Sequence, residues 1–99
     1  MDAGIDISNE REVNGGWTFD VRVNAPDGRS QQCSMKLSFA DYNHWSGSGT
    51  DAPSHVARAV VAFMLQNSPP DALPELFDAS LARRKFSDAD AVIPTLICG

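Results

Sequence analysis

The chain has 99 residues, the length of one ordinary domain. Apolar residues make up 42% of it and charged residues 21%, which excludes a disordered tail, a collagen and a coiled coil. The formal charge of −5 disfavours nucleic acid as a partner, and no stretch reaches the roughly 20 apolar residues of a membrane span.

The amino-terminal Met1-Asp2-Ala3-Gly4 carries no positive charge and leads into no apolar run, so no signal peptide and a cytoplasmic location are expected. Ile5, Ile7 and then Val13 mark a first, weak strand. From Trp17 to Ala25 the alternation is regular. Trp17, Phe19, Val21, Val23 and Ala25 fall on one face, with Thr18, Asp20, Arg22 and Asn24 on the other. It recurs with Cys33, Met35, Leu37 and Phe39 against Gln32, Ser34, Lys36 and Ser38. Period-two patterning with β-branched and aromatic residues marks half-buried strands. A Pro26-Asp27-Gly28 loop pairs Val21 with Cys33 and Phe19 with Met35. For the first hairpin, a two-residue Asn14-Gly15 loop would set Glu12 opposite Trp17 and break the faces. A three-residue Asn14-Gly15-Gly16 loop, pairing Val13 with Trp17, is therefore expected.

Ser38-Phe39-Ala40-Asp41 has the form of a capping box for a short helix through Trp45. A Gly/Ser loop over residues 46–50 reads as flexible. Asp51 and then Pro53 open a second helix to about Asn67, apolar nearly all round and broken by Arg58. Ser68-Pro69-Pro70 stops it. Asp71 caps a predicted third helix over residues 72–84, with Leu73, Leu76, Phe77 and Leu81 as its apolar stripe. Ser87 caps a short turn through Asp90, and residues 94–99 form a tail. The expected fold is a single α+β domain. Residues 1–40 form a three-stranded antiparallel β-meander, covered on one face by a central helix within a helical layer over residues 41–93.

Chemistry-bearing side chains concentrate at Asp41, Tyr42, Asn43, His44 and Trp45, with His55 and Arg58 beyond the loop. Tyr42 and Trp45, three residues apart, either plug the end of the core or present a binding surface. His44 and His55 with Asp41 or Asp51 could supply three metal ligands, but the spacing fits no zinc pattern, and no metal or cofactor is expected. No Gly-x-Ser-x-Gly elbow or phosphate loop is present, so no catalytic residue is assigned. Arg83, Arg84 and Lys85 form the one basic cluster, suited to compensating a helix dipole or to holding an anion. Arg58, the lone charge in an apolar helix, snorkels to solvent, pairs with an acid or meets a ligand. Cys33 reads as a buried small hydrophobe and Cys98 as a tail thiol.

The segments Gly16-Trp17-Thr18-Phe19-Asp20-Val21-Arg22-Val23, Phe39-Ala40-Asp41-Tyr42-Asn43-His44-Trp45 and Leu81-Ala82-Arg83-Arg84-Lys85-Phe86 resemble a small uncharacterised family of bacterial proteins. The resemblance implies a bacterial cytoplasmic domain and assigns no site residues. Three functions compete. The first is a non-catalytic protein-interaction or regulatory module using residues 42–45, with a homodimer through an open edge strand as one form. The second is a small-molecule or metal-binding domain, or an enzyme, in which His44, His55, Arg58 and an acid converge. The third is a nucleic-acid surface that joins Arg22, Arg29 and Lys36 to the Arg83–Lys85 corner.

Overall fold

The computed structural model describes residues 4–25, 27–47, 49–69 and 72–97. Expectations placed on Pro26, Ser48, Pro70, Asp71 and Cys98 lie outside them. The chain forms β1 (Gly4–Val13), β2 (Gly16–Asn24), β3 (Ser30–Ser38), α1 (Phe39–Trp45), α2 (Pro53–Asn67), β4 (Leu76–Asp78), α3 (Leu81–Lys85) and α4 (Ala89–Leu96). The α+β class holds, but the sheet is four-stranded and mixed, in the order β1-β2-β3-β4.

The β2–β3 register follows the alternation: Val21 pairs with Cys33, Phe19 with Met35 and Trp17 with Leu37. The β1–β2 hairpin does not follow its expectation. The loop is the two-residue Asn14-Gly15, with Val13 opposite Gly16 and Glu12 opposite Trp17. Gly15 takes φ 84°, a left-handed value that costs a glycine little. The faces survive because the register shifts between Ser8 and Arg11, where a β-bulge inserts one extra residue. Beyond it Ile7 meets Val21 and Ile5 meets Val23, so both isoleucines return to the apolar face. The bulge turns on Asn9 at φ 52°, and asparagine is among the few residue types that tolerate that region. Its side chain donates to Asp20 Oδ2 at 2.6 Å across the outer face. Replacing Asn9 by isoleucine should destabilise the domain by about 1–2 kcal/mol in denaturant unfolding, since a β-branched residue resists this backbone. Glu10→Ile, beside it, should have less effect.

β4 replaces the middle of the predicted third helix. It pairs in parallel with β3, setting Phe77 beside Met35 and Lys36 beside Asp78. Leu73 and Phe77 are buried while Leu76 is 76% exposed, so the supposed helical stripe is not one face. The open edge of β3 offers hydrogen-bonding partners that helix propensity cannot anticipate: Ser34 N–H donates to Glu75 and Ala79 N–H to Lys36. Downstream, the expected short turn is the eight-residue α4, with Asp88 at its N-cap. Pro94 lies inside it rather than beginning a tail. The bond that Pro94 cannot donate would have gone to Asp90, a residue exposed to water.

Ser38 caps α1 as expected, its hydroxyl accepting from Asp41 N–H at 3.1 Å. Phe39 N–H donates to Gly15, so the start of α1 hangs from the first hairpin turn. Asp51 does not cap α2. Ala52 holds that position, and the Asp51 carboxylate accepts from Ser46 Oγ at 2.7 Å. α2 is the central helix: Val56, Ala57, Ala59, Val60, Val61, Phe63 and Met64 are buried against the sheet and the other helices. β1 is the exposed long edge, blunted by its bulge and by Asp6, Glu10, Arg11 and Glu12. Arg58 also donates to the Ile5 carbonyl of that strand at 2.7 Å.

Candidate functional site

α1 places its five notable residues on different sides. Asp41 and Trp45 face inward, at 7% and 1% exposure. Tyr42 is half-buried, its hydroxyl donating to the Asp51 carbonyl at 2.5 Å. Asn43 and His44 are exposed. Trp45 therefore belongs to the core rather than to a surface.

Arg83 of α3 holds this corner together. Its NH1 donates to Asp41 Oδ1 at 3.0 Å, and its Nε donates to Asp90 at 2.9 Å and 3.2 Å. The guanidinium carbon lies 5.0 Å from the Trp45 ring centroid, a cation–π arrangement. Trp45 Nε1 donates to the same Asp90 oxygen at 2.9 Å, and His44 Nε2 lies 3.3 Å from it. One arginine thus ties α1, α3 and α4. Its hydrogen bond holds the Asp90 carboxyl below the usual range, with smaller help from the Trp45 N–H and the His44 charge. Asp90 in turn raises the Arg83 guanidinium further. The basic cluster is accordingly divided. Arg83 is engaged in these bonds, while Arg84 and Lys85 remain exposed at the end of α3.

His44 and His55 do not join a ligand set: among the described residues no group of three or more His, Cys, Asp or Glu could hold a metal. His44 pairs with Asp90, whereas His55 and Arg58 border a separate cleft with Ala59, Ala62 and Leu96. Cys33 is buried, and burial pushes its thiol pKa up, away from reactivity. The polar outer face of the sheet forms a shallow trough of about 640 Å³. Arg22 lines it together with Asp6, Asp20 and Glu75, so the cationic stripe a phosphate backbone needs is interrupted by acids.

Two residues that the alternation placed on the apolar strand face, Phe39 also standing in the capping box of α1, come together at the edge of the core, where Trp17 is half-buried and Phe39 exposed. Trp17 packs edge-on against Phe39, with ring centroids 4.8 Å apart, and against Tyr42 at 5.2 Å. Phe39 is 38% exposed. The cluster forms because β2, the end of β3 and α1 meet there. Gly16 permits the approach, since a Cβ at that position would lie 2.8 Å from Ser38 Cα. A local signal existed in Phe39, an aromatic in the first turn of a short capped helix, but its neighbour Trp17 is distant in sequence.

No helix among the described residues is long and apolar enough to cross a membrane. No family model, curated protein or solved structure matches the chain.

Proposed function

We propose that the domain is a non-catalytic protein-interaction module whose contact surface is the aromatic corner of Trp17, Phe39 and Tyr42. The observation that carries this reading is the exposed Phe39 ring, held edge-on against Trp17. Aromatic side chains give large contact area at small entropic cost and dominate protein interfaces. The corner replaces residues 42–45 as the contact surface, because Trp45 faces the core. It is also better placed than the charged, bulged β1 edge for receiving a second chain.

The test uses Phe39→Ser, which removes an exposed ring and should cost about 1 kcal/mol of stability. Tagged wild-type and variant chains, both verified as folded by thermal melting, are used to capture proteins from native lysate at moderate salt. The expected result is a defined partner with the wild type that is lost with the variant. Sedimentation velocity checks whether that partner is a second copy. Identical recovery with both chains, or self-association unaffected by the variant and no other partner, would overturn the reading.

A further inference from the structure

α2 and α4 border a cleft of about 320 Å³ lined by His55, Arg58, Ala59, Ala62 and Leu96. That volume lies at the lower end of the range for small-molecule sites. Its lining combines two kinds of surface. Ala62, half-buried one helical turn beyond the buried Ala59, offers a small-residue apolar wall, and Leu96 of α4 supplies another. His55 and Arg58, also one turn apart, add nitrogen donors at the same cleft. None of these five lining residues is acidic, in a chain whose net charge is −5. Arg58 is also oriented: NH1 donates to the Ile5 carbonyl at 2.7 Å, which uses one of the five donors of a guanidinium.

We propose that this cleft binds a small monocarboxylate with a short apolar body. The carboxylate meets the Arg58 guanidinium, whose planar fork matches it, with the His55 ring as a further donor. The apolar body lies along Ala62 and Leu96, above the floor that the buried Ala59 closes. Inorganic phosphate would leave the apolar wall unfilled, and a neutral hydrocarbon would leave Arg58 without a counter-charge from the described lining residues. The site is independent of the aromatic corner, which lies on other elements.

Hexanoate is the probe, titrated into isotope-labelled full chain and followed through backbone amide resonances, with acetate and hexan-1-ol as comparators. Hexanoate should shift resonances of residues 55–62 and of α4 with about millimolar affinity, the range of a fragment this small. Acetate and hexan-1-ol should each bind at least about tenfold more weakly, since each lacks one of the two contacts. Arg58→Gln should weaken hexanoate by about tenfold. Ala62→Phe, which fills the cleft and leaves both donors in place, should abolish binding, and it preserves the test if Arg58→Gln fails to fold. Shifts confined to other elements, equal binding of hexan-1-ol, or hexanoate binding undiminished in folded Arg58→Gln or Ala62→Phe would each overturn the proposal.

Discussion

Replacing Trp45 by alanine should lower the stability of the domain by about 3–5 kcal/mol, the usual range for deleting a buried aromatic ring. The ring is 1% exposed, and its loss leaves a void at the junction of α1, α3 and α4. It also removes the N–H that donates to Asp90 and the face over which Arg83 lies. In a domain of this size each kcal/mol moves Tm by roughly 4–8 °C, so the change is large in a thermal melt. Small domains have total stabilities of only about 5–15 kcal/mol, and the variant should be substantially unfolded in mild denaturant. Trp45→Phe keeps most of the volume and loses the hydrogen bond, at about 1 kcal/mol plus a smaller packing loss. Loss of partner binding in Trp45→Ala would therefore report unfolding, and Phe39 is the residue through which the interaction surface is tested.

Arg83→Met should cost about 2–3 kcal/mol in denaturant unfolding, while Arg84→Ala stays within about 0.5 kcal/mol. Methionine retains much of the aliphatic stem but leaves Asp41 without its cation, and the Asp41 side chain is only 10% exposed. Arg83 itself is 36% exposed, so solvent screening places the expected loss below that of a fully buried pair. The same variant should alter acid sensitivity. Arg83 holds the folded-state pKa of Asp90 below its unfolded value. A depressed carboxyl pKa contributes stability that is present above the unfolded value, about 3.9, and lost as pH falls through the folded one. The wild type should thus lose this contribution as pH drops below about 4. Arg83→Met should show a shallower acid-induced loss across that window, measured as unfolding free energy against pH. An unchanged acid profile would place the acid sensitivity elsewhere.

The strands were legible because their signal is local and periodic. Trp17 to Ala25 and Cys33 to Leu37 alternate so strictly that one register keeps all their apolar side chains on one face, and the β2–β3 pairing follows it. The first hairpin misled for the same reason. Parity assumes an uninterrupted ladder, and the extra residue near Asn9 reverses the parity that the Asn14-Gly15 turn imposes. The helical spacing of Leu73, Leu76, Phe77 and Leu81 is equally ambiguous: Leu73 and Phe77 are buried while Leu76 is exposed, and a three-residue strand on the β3 edge supplies the burial of Phe77. For the site, residues 41–45 stand out in the sequence by their side-chain chemistry, but two of them, Asp41 and Trp45, look inward. His55 and Arg58 meet at one cleft because they are one helical turn apart, a relation that sequence spacing contains. His44 could not be assigned to Asp90 from the chain alone, because 46 residues separate them.

Local chain chemistry accounts for the α+β class, the antiparallel core of the sheet, the capped α1 and the buried central α2. Each follows from propensity, capping or periodicity acting over a few residues. Packing of the whole chain sets the parallel β4, the bulge that restores the faces, the Arg83 tie among α1, α3 and α4, and the meeting of Trp17, Phe39 and Tyr42. Each of these joins elements remote in sequence, or depends on an edge or cavity that exists only once the elements have packed.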